Sequence, residues 1–123
     1  MGNKGEDAVA EYYRKKKFSV FKIDPKGVNF EFGLVTWRGK FEYNICGKKG
    51  APDFFVCKGK EQFYVEVKKN KNPLADTQRK VISELINNGN KVFLVKYIVK
   101  RDTIKIYELG ENLMLNFIEE VIL

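Results

Sequence analysis

Asp53, Glu66 and Lys68 are the residues of this chain whose types and spacing best fit chemistry, that of two carboxylates and an ammonium gathered around a divalent cation. They lie in GAPDFFVCKGKEQFYVEVKKN, Gly50 to Asn70. Strand alternation puts Asp53, Phe55 and Cys57 on one face, and Phe54 and Val56 on the other. In the second half Gln62, Tyr64, Glu66 and Lys68 share a face, opposite Phe63, Val65 and Val67. If Gly59 and Lys60 are the central turn residues, glycine first as a type II′ turn favours, Lys58 pairs with Glu61. Counting back along both strands then sets Asp53 across from Glu66. Directly opposed positions hold Cβ atoms about 4.5–5.5 Å apart, where like charges repel. Such a pair requires a counter-charge, and a shared divalent cation with Lys68 beside it would supply one. Hard oxygen ligands, in a chain without histidine, point to magnesium, with manganese as a substitute, rather than zinc. The plain alternative is a solvated hairpin face with scattered charges, and a one-residue change of register would remove the pairing.

Pro52-Asp53, twelve intervening residues and then Glu66-Val67-Lys68 resembles the signature of the PD-(D/E)XK nucleases. The resemblance implies an α/β fold with a restriction-endonuclease-like core, a central mixed β-sheet flanked by helices. It also implies magnesium-dependent hydrolysis of DNA phosphodiesters. Asp53 and Glu66 would hold the metal, joined by the Val67 carbonyl. Lys68 would orient the attacking water or stabilise the transition state.

The elements that must position these residues are legible on either side. Residues 3–17 read as a helix, with Asn3 as N-cap, Glu6 and Asp7 in the first turn and lysines in the last. Glu6, Val9, Ala10 and Tyr13 follow i, i+3, i+4, i+7 spacing, so Glu6 extends the apolar stripe. A glutamate so near a helix start ordinarily just favours the dipole; Glu11, on another face, is the weaker rival. Its distance from Phe18 is similar to that of the helix-one acid of archaeal Holliday-junction resolvases, which implies that Glu6 is a further metal-site and catalytic acid. After the hairpin, Pro73 and Asp76 mark a helix entry and Asn88-Gly89 an exit, with Val81, Ile82, Leu85 and Ile86 as buried stripe. Gln78 heads that stripe. It is either first-turn polarity or, by resemblance to virus-type replication-repair nucleases, part of the active site.

Lys91 to Val99 reads as a third buried strand, Thr103 to Leu109 as an edge strand, and the stretch from about Glu111 to the terminus as a last helix. That helix would display Leu113, Met114, Phe117, Ile118, Val121 and Ile122 to its own sheet or to a homodimer partner. Between the first strand and Pro52-Asp53 the chain departs from the small resolvases. It inserts a segment, about 26–50, that reads as a hairpin around Arg38-Gly39, rich in aromatics including Trp37.

One domain spans 1–123, and a formal charge of +7 suits a polyanionic partner. Lysine dominates over arginine, which favours backbone and shape recognition over base reading. Arg38, Lys40, Lys48, Lys49, Lys69 and Lys71 are the candidate DNA contacts. Cys46 and Cys57 form no zinc site without further ligands; a disulfide is the alternative, but with nothing to indicate secretion they read as buried thiols of an intracellular protein. The absence of histidine excludes a Ser–His–Asp triad, and no GxxxxGK[ST] loop supports a nucleotide cofactor. No apolar segment reads as a membrane span. The resemblance implies a homodimer that cleaves branched DNA, as Holliday-junction resolvases do. A restriction- or repair-type nuclease on duplex or single-stranded ends, or an inactive DNA-binding module, are the alternatives.

Overall fold

The computed structural model describes residues 4–24, 27–28 and 49–123. Helix α1 (Lys4–Lys15) is followed by β1 (Ser19–Asp24), β2 (Gly27–Val28), β3 (Phe54–Lys58) and β4 (Glu61–Lys69). Helix α2 (Asp76–Asn87), β5 (Val92–Ile98), β6 (Thr103–Leu109), a 3-10 turn (Glu111–Leu113) and β7 (Leu115–Ile122) complete the chain. The strands form one sheet in the order β2-β1-β3-β4-β5-β6-β7. Among the described strands only β4 and β5 pair in parallel; the other pairs are antiparallel. The sheet is mixed and carries a helix on each face, which is the expected α/β core.

Each helix forms because its apolar stripe has a sheet face to cover. Val9, Ala10 and Tyr13 of α1 pack with Phe54, Val56, Phe63, Val65, Val95 and Ile104. Val81, Ile82 and Leu85 of α2 pack with Phe55, Cys57, Tyr64, Val92 and Leu94 on the other face. The hairpin therefore alternates as its spacing demands, sending one parity of residues under each helix. Cys57 is a buried free thiol. In α1, acids occupy the first turn and Arg14 and Lys15 the last, complementing the macrodipole. The helix stops where Lys17 turns left-handed (φ 72°), which brings Phe18 against Tyr13 and Phe63. Asn3, the expected cap, lies outside the described residues, as does most of the 26–50 insert.

Two expectations at the C-terminus are corrected. The final segment is not a helix: after the 3-10 turn, in which Asn112 and Leu113 take positive φ, residues 115–122 run back antiparallel along β6. The helical spacing of Leu113, Met114, Phe117, Ile118, Val121 and Ile122 misled because the strand carries a bulge. Tyr107 pairs with Phe117 but Ile106 with Glu119, so alternation slips by one residue midway. Consequently β6 is an interior strand and β7 is the sheet edge. No helix of the described residues is long and apolar enough to cross a membrane.

Candidate active site

The site grows from the β3–β4 turn. Gly59 has φ +61° while Lys60 keeps negative φ, as a type II′ turn requires, and Lys58 pairs with Glu61. The ladder continues to Phe54 opposite Val65, and Asp53, the residue just before β3, follows on beside Glu66. Asp53 is fixed from two sides: its carbonyl accepts from Ile23 N–H (2.9 Å) and its Oδ2 from Val67 N–H (2.8 Å). Glu66 is 2 % exposed, an unusual position for a carboxylate without a matching counter-ion.

Helix α2 supplies part of that match. Gln78 Nε2 donates to Glu66 Oε2 across 2.9 Å, and Gln78 Oε1 accepts from Ala75 N–H at 2.8 Å. One amide thus serves both the first turn of the helix and the Glu66 carboxylate. Lys68 Nζ lies 3.7 Å from the same Glu66 Oε2. Glu66 Oε1 is buried with no hydrogen-bond partner. Gly50 closes the arrangement. It has φ +96°, and a Cβ there would stand 2.6 Å from Thr77 O, so only glycine lets the Pro52-Asp53 loop lie against the first turn of α2.

The electrostatics follow from burial. Desolvation raises the Glu66 carboxyl to about 8, with the Asp53 charge adding to it and Lys68 opposing. Desolvation likewise raises Asp53 to about 6, against the Val67 N–H bond, which favours its ionised form. The two carboxyls titrate as a pair.

Glu6 stands a step away. Its carboxylate accepts from Lys22 Nζ of β1 at 2.8 Å, and its charge is felt at both Asp53 and Glu66. Among the described residues no three His, Cys, Asp or Glu side chains come together as a metal cluster. Lys22, which sequence reasoning missed, is held charged chiefly by its hydrogen bond to Glu6. The available signal was a lysine alternating with Val20 onto the face of β1 that α1 covers. Glu11 is exposed, as are Lys49, Lys69 and Lys71; Arg38, Lys40 and Lys48 lie outside the described residues.

An orphaned buried carboxylate oxygen, a second carboxylate opposite it and pKa values raised by burial fit a hard divalent cation. With Lys68 and Gln78 on the same side, the donor set suits a phosphate beside that cation.

The VRR-NUC domain family matches residues 37–96, a segment that contains Asp53, Glu66, Lys68 and Gln78. No curated protein matches the chain. Among solved structures, Hjc of Archaeoglobus fulgidus, a Holliday junction resolvase from an archaeal hyperthermophile, is similar with a TM-score of 0.58. The two are 15 % identical, over 98 % of this chain and 87 % of that one, a likeness of fold. The chain is thus similar to the VRR-NUC domain family over residues 37–96 and to the archaeal Hjc in fold, and the family match takes in Pro52-Asp53 and Glu66-Val67-Lys68.

Proposed function

We propose that this protein is a magnesium-dependent endonuclease that hydrolyses phosphodiester bonds of branched DNA, as a Holliday-junction resolvase does. The observation that carries the reading is the half-buried Asp53 beside buried Glu66, with Glu66 Oε1 unpartnered and Lys68 and Gln78 beside it. Asp53 and Glu66 would hold the cation, with the Val67 carbonyl next to them. When bound, the metal lowers the pKa of a coordinated water and neutralises charge on the phosphate. Lys68 stabilises negative charge that builds up on the phosphoryl oxygens in the transition state. Gln78 holds Glu66 in the orientation that leaves Oε1 free, and Glu6 keeps Lys22 charged at the edge of the site. Exposed Lys49, Lys69 and Lys71 contact the DNA backbone as mobile point charges, together with Arg38, Lys40 and Lys48 of the insert.

A branched substrate with two-fold symmetry suits a two-fold enzyme, and β7 supports one. Six of the seven exposed large apolar side chains among the described residues are Met114, Leu115, Phe117, Ile118, Ile122 and Leu123. Both acids of the strand turn to their own chain: Glu119 to Tyr12 (3.0 Å) and Glu120 to Thr103 (3.2 Å). An apolar sheet edge with its charges engaged internally favours antiparallel pairing with the β7 of a second copy.

The test is cleavage of a labelled four-way junction in magnesium, manganese and EDTA, with linear duplex, flap and single-strand controls. Paired nicks near the branch, lost in EDTA and in Asp53→Asn, are the expected result. Cleavage confined to the linear or flap controls would move the enzyme to the restriction or repair class. Tight junction binding without any cleavage would reduce it to a binding module.

A further inference from the structure

A second feature sits at the same end of the sheet. Between the first turn of α1 and the C-terminal ends of β4 and β5 lies a cavity of about 210 Å³, lined by Lys4, Gly5, Val67, Lys69, Tyr97 and Val99. It occupies the position where open α/β sheets receive ligands, outside the carboxyl ends of parallel strands. Its walls are built. Asn70, at φ 53°, donates its N–H to Tyr97 O (2.8 Å) and accepts from Val99 N–H through Oδ1 (3.0 Å). Tyr97 is anchored through its hydroxyl to Asp102 Oδ1 at 2.7 Å. The interior is mainly apolar, and the two ammonium groups are on exposed residues, Lys4, whose side chain hydrogen-bonds the Tyr97 hydroxyl, and Lys69. It also adjoins the candidate metal pair, because Val67 lines the cavity while its N–H holds Asp53.

We propose that this cavity takes one unpaired nucleobase of the DNA strand being cut, with the phosphates on either side of it held by Lys4 and Lys69. An apolar slot with cationic flanks matches a ligand that has an apolar body and anionic links on both sides. Lys68 and Lys69 point to opposite faces of β4, so a backbone gripped at Lys68 can continue over the sheet end to Lys69. A base stacked in continuous duplex cannot enter, while one splayed at a branch can. The site would therefore supply preference for branched over linear DNA, and in this it rests on the nuclease reading above.

The experiment is fluorescence anisotropy in EDTA with labelled octathymidylate and an octamer of abasic units on the same backbone. Octathymidylate is expected to bind about tenfold more tightly, the scale of one base contact. Val99→Met, which fills the slot without offering a ring to stack on, should remove that difference and leave abasic binding unchanged. Lys69→Gln should weaken both ligands alike. In the unmutated protein, the methyl resonances of Val67 and Val99 should move with octathymidylate and stay in place with the abasic octamer. Equal affinities, or a base preference that survives Val99→Met with those methyls unmoved, would overturn the proposal. The two readings fail separately. Base preference in a protein that cleaves nothing would sink the nuclease and keep the slot, and junction cleavage with equal affinities would do the reverse.

Discussion

Gln78 and Glu66 are joined by a 2.9 Å hydrogen bond from the amide of α2 to the buried carboxylate of β4, while the other end of the amide caps the helix that carries it. Gln78→Ala removes both bonds. We expect a loss of about 1–3 kcal/mol in stability and at least a tenfold fall in single-turnover cleavage. Gln78→Glu keeps an acceptor for Ala75 N–H but presents a carboxylate to Glu66. It should fall further in cleavage than Gln78→Ala at neutral pH, with helix content retained by circular dichroism.

The carboxyl pair gives a signed pH dependence. Asp53 and Glu66 have folded pKa values raised from 3.8 and 4.5 to about 6 and about 8, so between those limits the folded state holds more protons than the unfolded one. The slope of unfolding free energy with pH is then negative for these groups. Their contribution is most favourable below about pH 4 and declines as pH rises to about 8. Urea titrations in EDTA across pH 5–8 should show this decline in the unmutated protein and a flatter profile in Glu66→Gln. An unchanged slope in the variant would refute the burial argument.

A cation that binds the ionised pair should reverse that trend. At ten times its dissociation constant, magnesium stabilises by about 1.4 kcal/mol, or roughly 5 °C in melting temperature for a domain of this size. The gain should grow from pH 6 to 8 as protons leave the pair. It should vanish in both Asp53→Asn and Glu66→Gln, measured by differential scanning calorimetry with and without EDTA.

Gly50 and Gly59 both take positive φ, yet only Gly50 faces a neighbour, with Thr77 O 2.6 Å from a built Cβ. Gly50→Ala should cost about 2–3 kcal/mol and depress cleavage, because it levers the Asp53 loop off α2. Gly59→Ala meets nothing within 4 Å and should cost about 1–2 kcal/mol with cleavage intact. Denaturant midpoints and initial rates on the pair of variants separate the two effects.

The β7 edge predicts oligomeric state. The unmutated chain should sediment as a dimer at micromolar concentration, and Phe117→Lys with Ile118→Lys should sediment as a monomer with unchanged circular dichroism. A monomeric parent would remove β7 as the contact.

The sequence by itself determined the parts of this protein that are set by local spacing. A single tight turn at Gly59-Lys60 fixed the β3–β4 register, and with it the approach of Asp53 to Glu66, because side chains alternate strictly from that point. The stripes of α1 and α2 and the strand at Val92–Ile98 were equally legible, since each meets a face of one sheet. What only the tertiary structure decided depends on residues far apart in the chain. Lys22 reached Glu6 because β1 runs beneath α1, and Gly50 became indispensable because α2 folds back onto its loop. Residues 115–122 became a strand although their apolar spacing fits a helix. Pairing with β6 satisfies their backbone there, and a bulge at the Ile106/Tyr107 step absorbs the mismatch in period.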